Sequence, residues 1–384
     1  MRRPSSRWVM GIVGFGLVLS VLLGWGAIAR YARAAQFLQR LAHPPSADAI
    51  ALSAPKVTSQ DVTIAGEHGP IRARLYFRAD RPKGTGIVVA HGVHYQGIDE
   101  RRLVPFARGL AESGLTVLTP ELTDLADYRI TSSGVGVIRD SVRYLATNSE
   151  HVTGDRVGLL GFSFAGGLSL VAAEDPETSR ALSFVTSVGG HHDLRRVLRF
   201  LIHNEIETPK GIVHMPAHEY GLVVLVYGNL EHFVPEADLL SMRAAFKAWL
   251  KEDRKAAREF AEARTTPEAD ALWQLLESGK LQSLAPQLDA LLESQHDELD
   301  ALSAAGKLAR ITVPVYLLHG SHDSVIPPSE TDAAGLELDA AEHQELAVAG
   351  HLALVSPLLE HVEVSKSAGL GDELALVSFM AQLL

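Results

Sequence analysis

Ser163 is the residue of this chain whose sequence context most clearly indicates a chemical role. It stands in Gly161-Phe-Ser163-Phe-Ala165, directly after the apolar run Val157 to Leu160 and directly before a helical stretch. A turn that joins a strand to a helix in this way is so tight that the residues two before and two after the serine must be small, and Gly161 and Ala165 meet that demand. The pattern predicts a serine nucleophile held at a helix N-terminus.

A serine hydroxyl is a weak nucleophile until a base takes its proton, so a histidine and an acid must stand nearby. Asp323 lies just past the apolar run Val313 to Leu318, and His351 lies just past a weaker run, Glu345 to Val348. Residues that follow parallel strands converge at the carboxyl edge of a sheet. We therefore predict that His351 is the base of Ser163 and that Asp323 orients the base.

The other polar clusters give weaker evidence of a functional site. The chain has 17 histidines, so a histidine beside any motif carries little weight. His191 and His192 could be metal ligands, but adjacent histidines seldom point at one ion and no further ligand has a suitable spacing. The sequence predicts neither a metal nor a cofactor.

Composition limits the class of protein. The 384 residues are 47% hydrophobic, which is sufficient for one large domain with an insertion. A formal net charge of −11 argues against a nucleic-acid partner, because no basic excess is available to displace counterions from phosphates. The absence of cysteine excludes disulfides, thiolate metal sites and a cysteine nucleophile.

The N-terminal part of the chain is much more apolar than the remainder. Val9 to Ala29 contains no charge and is about long enough to span a bilayer as a helix. Arg2, Arg3 and Arg7 precede it, which favours a body outside the cytoplasm. We predict a membrane anchor or signal sequence over residues 1–30 and a stalk over 31–55. A cleavable signal peptide is the alternative, since Ala27-Ile28-Ala29 and Ala32-Arg33-Ala34 both have the small-x-small form of a cleavage site.

The remaining chain predicts a doubly wound, mostly parallel sheet with a helical insertion. Two alternating stretches, Asp61 to Ile64 and Ile71 to Phe77, read as antiparallel strands. Continuous apolar runs separated by helical stretches follow, as in a parallel sheet covered on both faces. The runs are Gly86 to Ala90, Leu115 to Leu118, Val157 to Leu160, Phe184 to Val188, Val313 to Leu318 and, more weakly, Glu345 to Val348. Residues 195–308 have mostly helical patterning and interrupt the alternation of strands and helices. A segment of this length predicts an inserted cap, which divides the core into residues 56–194 and 309–384. Within the cap, Gly221 to Tyr227 is either a buried element or a wall of an acyl pocket.

Residues 57 to 384 resemble the α/β-hydrolase superfamily, and its serine esterase, dienelactone hydrolase and prolyl oligopeptidase branches are all similar in general form. The resemblance rests on the turn around Ser163, on the order serine, aspartate, histidine, and on His91-Gly92 at the end of a strand. The resemblance implies that the loop opened by His91-Gly92 supplies the amide of Val93 as one oxyanion donor and that Phe164 supplies the second. It also favours Asp323 as the acid, because the pattern Gly320-Ser-His-Asp323-Ser-Val-Ile-Pro327 matches that of the family. Asp193 is the alternative acid, since some members place theirs after the corresponding earlier strand.

The expected function is hydrolysis of an acyl bond, with a carboxylic ester as the leading substrate class and a small or lipid-like molecule as the substrate. Two alternatives remain open at this stage. The same three residues would serve an acyltransferase, and the fold would also serve a non-catalytic binding or scaffold protein.

Overall fold

The computed structural model describes residues 26–42, 55–208, 211–344, 349–361, 363–364 and 369–384. The predicted membrane segment, Val9 to Ala29, lies largely outside these residues, and the predicted strand Glu345 to Val348 lies wholly outside them. Among the residues described, no helix combines the length and the apolar character needed to cross a membrane.

An eight-stranded sheet forms the centre of the molecule, in the order β1-β2-β4-β3-β5-β6-β9-β10. Strand β2 pairs antiparallel with both of its neighbours, and the strands from β4 to β10 pair in parallel. The eight strands are β1 (Val57–Gly66), β2 (Gly69–Arg78), β3 (Thr85–Ala90), β4 (Leu115–Pro120), β5 (Val157–Phe162), β6 (Leu182–Val188), β9 (Val315–Gly320) and β10 (His351–Ser356). Two small hairpins are formed by β7 (Glu205–Thr208) with β8 (Gly211–His214) and by β11 (Leu359–Glu360) with β12 (Glu363–Val364).

Helices cover both faces of this sheet. The helices of the core are α1 (residues 26–42), α2 (Leu103–Glu112), α3 (Thr123–Ala126), α4 (Ser132–Thr147), α5 (Phe164–Ala173), α6 (Pro176–Ala181), α14 (Ser329–His343) and α15 (Leu370–Leu383). The helices between β6 and β9 are α7 (Leu194–His203), α8 (Glu219–Gly228), α9 (Glu236–Leu250), α10 (Arg254–Ala261), α11 (Pro267–Glu277), α12 (Ala285–Ser294) and α13 (His296–Ala301).

The central strands are mainly apolar because both of their faces are covered. Val88 and Leu159 belong to the core on one side of the sheet, and their chain neighbours Val89 and Leu160 belong to the core on the other side. Successive side chains of a strand point to opposite faces, so each of these strands supplies both cores at once. This explains the continuous apolar runs of the sequence.

The region predicted as a cap is mainly helical. Its most apolar piece, Gly221 to Tyr227, forms helix α8 and is buried along its whole length. It packs into the same core as the sheet face that carries Val88. The cap therefore shares a core with the body.

Residues 31–42, which the sequence assigns to a stalk, instead belong to helix α1 on the surface of the core. Phe37 is 2% exposed and meets Phe106 of α2 edge to face, with ring centroids 5.3 Å apart. Arg40 forms an ion pair with Glu112 at the end of α2. The polar composition of this stretch and Pro44-Pro45 favoured a stalk in the sequence analysis. Ala34 and Phe37 nevertheless have the spacing of one face of a helix.

Strand β10 begins later in the chain than the sequence predicts. His351 pairs with Val315, the first residue of β9, and Ser356 pairs with Gly320, the last. His351 therefore starts a strand, whereas the sequence placed it just after one. The register matters for function, because it decides which histidine reaches the carboxyl edge of the sheet.

Candidate active site

Ser163 occupies the turn between β5 and α5 with a backbone that few residues adopt. Its φ of 53° and ψ of −133° lie outside the ordinary regions for a residue with a side chain. The turn is held by two hydrogen bonds, from the amide of Ser163 to the carbonyl of Val188 at 2.8 Å and from the amide of Gly166 to the carbonyl of Ser163 at 2.7 Å. The serine thus sits at the carboxyl edge of the sheet on the first turn of a helix.

Two glycines make this turn sterically possible. A Cβ at Gly161 would lie 2.2 Å from the carbonyl oxygen of Ala165, so the strand could not approach the helix so closely with any side chain there. A Cβ at Gly92 would lie 3.1 Å from the Cβ of Ser163. The small residues predicted from the sequence are therefore required by contacts, and the loop after β3 runs directly beside the serine.

Asp323 is fully buried three residues beyond the end of β9. Its Oδ1 accepts hydrogen bonds from the amides of Val325 at 2.9 Å and Ile326 at 3.0 Å. Burial by itself would raise the pKa of this carboxyl group, but its interactions with His319 and His361 together outweigh burial and hold the pKa well below its usual range. The group is therefore a carboxylate at any ordinary pH.

The histidine that meets this carboxylate is His361. Its Nδ1 donates to Oδ2 of Asp323 at 2.6 Å, and its side chain is 28% exposed. Gly320 lets the segment approach, since a Cβ there would lie 2.6 Å from the carbonyl oxygen of Leu359. With Nδ1 bonded to the acid, Nε2 is the nitrogen that remains for proton transfer.

The predicted pairing of His351 with Asp323 is wrong. His351 Nδ1 lies 2.9 Å from Glu342 Oε1, and its Nε2 lies 3.5 Å from Asp339. Because His351 pairs with the first residue of β9, the five residue steps of that strand, about 16 Å, separate it from the edge where Asp323 lies. The reason for the error is the strand register.

A signal for His361 is nevertheless present in the sequence. The run His351-Leu-Ala-Leu-Val-Ser356 is at least as typical of a buried parallel strand as Glu345 to Val348. With β10 assigned to that run, His361 becomes the histidine that follows the last strand. The choice between two short apolar runs decided the prediction.

Asp193, the alternative acid, has a structural role. Its side chain accepts a hydrogen bond from the amide of Arg196 at 3.1 Å and so caps the N-terminus of α7. Its neighbours are also engaged: His191 Nε2 lies 2.9 Å from the carbonyl of Leu302, and His192 Nε2 lies 2.7 Å from Glu337. Burial lowers the pKa of His191. Each residue of the His-His-Asp cluster therefore has a structural contact, although Nδ1 of His191 is buried without a hydrogen-bond partner among the described residues.

The loop after β3 is organised by His91. Its Nδ1 donates to the carbonyl of Gly92 at 2.8 Å, and its Nε2 accepts from the amide of Leu122 at 3.0 Å. Burial lowers the pKa of His91, so the ring is neutral and can accept at Nε2. The residue that follows Gly92 is Val93, whose carbonyl accepts a hydrogen bond from the hydroxyl of Tyr220 at 3.2 Å. Phe164, the other predicted donor, is the first residue of α5, where amides have no partner within the helix.

One group among the described residues brings three possible metal ligands within 4.8 Å of one another, namely Asp339, Glu342 and His351. Both carboxylates are exposed. The group lies at the amino edge of the parallel strands, away from Ser163. It has no part in the candidate active site.

Solved structures share this architecture. The rice cell wall degrading esterase LipA from Xanthomonas oryzae matches with a TM-score of 0.50 and 15% identity, over 90% of this chain and 93% of that one. The chain has the α/β-hydrolase fold. No family model and no curated protein matches the sequence.

Other proteins with the α/β-hydrolase fold are similar at lower scores. An esterase from Pyrobaculum calidifontis matches over 99% of both chains with a TM-score of 0.44 and 14% identity. An acylaminoacyl peptidase from Pyrococcus horikoshii matches with a TM-score of 0.46 and 11% identity. This chain spans only 39% of that peptidase.

Proposed function

We propose that this protein is a serine hydrolase that cleaves a carboxylic ester, with Ser163 as nucleophile, His361 as base and Asp323 as orienting acid. The observation that carries the proposal is the hydrogen bond of 2.6 Å between His361 and a buried carboxylate. The bond stands at the sheet edge that also holds Ser163 in its strained turn. A nucleophile, a base and an acid that orients the base are the parts that acyl transfer needs.

The mechanism follows from the nitrogen left free on His361. Nε2 takes the proton of Ser163 Oγ as the oxygen attacks the acyl carbon, and the amides of Val93 and Phe164 stabilise the oxyanion that forms. The imidazolium then gives the proton to the leaving alcohol, and an acyl-enzyme remains. The same nitrogen then takes a proton from water as the water attacks the acyl-enzyme, and it returns this proton to Ser163 Oγ as the carboxylic acid leaves. Asp323 stabilises the imidazolium and stays ionised.

A fluorophosphonate probe tests the nucleophile directly. We expect the wild type to be labelled at a single serine and Ser163→Ala to be unlabelled. Ser169→Ala is the matched control, because Ser169 lies on the next turn of the same helix and is also buried. Equal labelling of wild type and Ser163→Ala would refute the proposal.

We propose in addition that Val9 to Ala29 tethers the protein to a membrane, with the catalytic body on the outer side. The support is the length and apolar character of the segment and the arginines before it. The full-length protein should stay in the membrane pellet after alkaline carbonate extraction. Release as a soluble chain whose N-terminus begins after Ala29 or Ala34 would instead establish signal cleavage.

A further inference from the structure

The first turn of the cap helix α8 contacts both loops that flank Ser163. The amide of His218 donates to the carbonyl of Ser324 at 2.8 Å, and Ser324 follows the acid Asp323 directly. The hydroxyl of Tyr220 donates to the carbonyl of Val93 at 3.2 Å. Three consecutive cap residues therefore connect the acid loop with the loop that follows β3.

This short connection is anchored at its start as well. Asn204 ends α7 in a left-handed conformation, with a φ of 60°. Its carbonyl accepts from the amide of Met215 at 2.9 Å, and its side chain accepts from the amide of Ala217 at 2.7 Å. His218 then caps α8 by accepting from the amide of Tyr220 at 3.2 Å. Met215 and Ala217 are thus bonded to the end of α7, and His218 is bonded to the helix that it begins.

The ring of Tyr220 is also fixed. It packs edge-on against Tyr128, with centroids 6.4 Å apart, and Tyr128 is 1% exposed with a strained φ of 59°. Burial raises the pKa of Tyr220 well above its usual range, so its hydroxyl remains a hydrogen-bond donor. A donor with one ring position and one acceptor can hold the peptide between Val93 and His94 in a fixed direction, and this restricts the backbone torsions of Val93.

We propose that Tyr220 is a positioning residue whose hydroxyl fixes the backbone of Val93, so that the Val93 amide points at the oxyanion formed on Ser163. The inference rests on the proposed function. The hydroxyl bonds the carbonyl of the residue that supplies the amide, and holding that carbonyl limits the rotation of the loop about Val93. An oxyanion donor stabilises a transition state only when its geometry is set before the reaction, and small misplacements reduce the rate strongly.

The experiment compares Tyr220→Phe with Tyr227→Phe. Tyr227 lies on the same helix and packs against the same Tyr128, with centroids 6.0 Å apart, but its hydroxyl bonds Asp127 at 3.2 Å. With p-nitrophenyl butyrate as the probe, kcat of Tyr220→Phe should fall about tenfold while KM changes by less than about twofold. Affinity for an alkylboronic acid, which forms a tetrahedral adduct on the serine, should fall by the same factor. Tyr227→Phe should match the wild type in all three quantities.

Two results would overturn the inference while leaving the proposed function intact. One is a Tyr220→Phe enzyme with unchanged kcat and boronic acid affinity. The other is a rise in KM with unchanged kcat and a lower melting temperature, which would make the hydroxyl a packing group. A wild type that shows no turnover dependent on Ser163 refutes the proposed function itself, and the inference with it.

Discussion

Nδ1 of His361 lies 2.6 Å from Oδ2 of Asp323, and this carboxylate is fully buried with its other oxygen bonded to two amides. A buried carboxylate fixed in this way admits one orientation and one tautomer of the ring. The ring is 28% exposed, so its second nitrogen can take part in proton transfer with a bound substrate. Asp323 is therefore suited to orient His361 as a base.

Matched substitutions test whether His361, which the structure favours, or His351, which the sequence favoured, is the base of Ser163. His361→Asn should lower kcat/KM about 10⁴-fold, because the serine loses its base. His351→Asn should stay within about twofold of the wild type, since His351 lies at the opposite edge of the sheet. Steady-state ester hydrolysis measures both, and the reverse ranking would return the role of base to His351.

The two candidate acids can be compared in the same manner. Asp323→Asn should lower kcat about 10⁴-fold, because the amide cannot hold the ring in the useful tautomer or stabilise the imidazolium. Asp193→Asn should keep its activity, because asparagine is also a good helix cap. Kinetics with circular dichroism as a check on folding decide the matter. Comparable losses in the two variants would contradict the assignment.

The close approach at Gly161 predicts a loss of both stability and activity. Gly161→Ala places a Cβ 2.2 Å from a backbone oxygen, so the turn around Ser163 must shift, at a cost of about 3 kcal/mol. Gly136→Ala is the control, because its Cβ would have an ordinary contact in the second turn of α4 and alanine favours a helix. Urea denaturation should show a destabilised Gly161 variant and a Gly136 variant at least as stable as the wild type.

Glu174 predicts a dependence of stability on pH. Burial raises the pKa of this carboxyl group to about 7, from an ordinary value of 4.5, and one of its oxygens has no hydrogen-bond partner among the described residues. Between those two values the unfolded chain loses the proton while the folded chain keeps it, so the free energy of unfolding falls as the pH rises. Glu174→Gln removes this loss and should stabilise the protein at pH 8 by about 1 to 2 kcal/mol, a figure reduced for partial solvent screening.

The check on Glu174 is urea denaturation at pH 5 and pH 8. The gain should be smaller at pH 5, because pH 5 lies only half a unit above the ordinary pKa of 4.5 and the folded group still keeps its proton there. Glu150→Gln is the control, because the side chain of Glu150 is 84% exposed. A gain from Glu174→Gln that is the same at both pH values would show that its charge is not the cause.

Helix α1 predicts that the segment before the sheet contributes to the stability of the body. Phe37→Ala should lower the free energy of unfolding by about 3 kcal/mol, because a buried ring against Phe106 is lost. Gln39→Ala, at an exposed position of the same helix, should have little effect. If Phe37→Ala were as stable as the wild type, residues 31–42 would act as the stalk that the sequence first indicated.

The sequence by itself determined what local sterics and burial dictate. The small residues around Ser163 followed from the tightness of one turn, and the structure shows the contact that forbids a side chain at Gly161. The parallel strands other than β10 were predicted at or near their observed positions, because strands covered on both faces are mainly apolar, and β1 and β2 were predicted from their alternation. Asp323 was selected as the candidate acid because it follows such a strand.

Only the tertiary structure decided what depends on the position of one strand along another. Two short apolar runs could each be the last strand, and they differ in whether His351 or His361 follows it. The choice is made by the pairing of β10 with β9, and an error of a few residues moves a side chain from one edge of the sheet to the other. The contact of Tyr220 with Val93 is of the same kind, since 127 positions separate the two residues along the chain and no local pattern connects them.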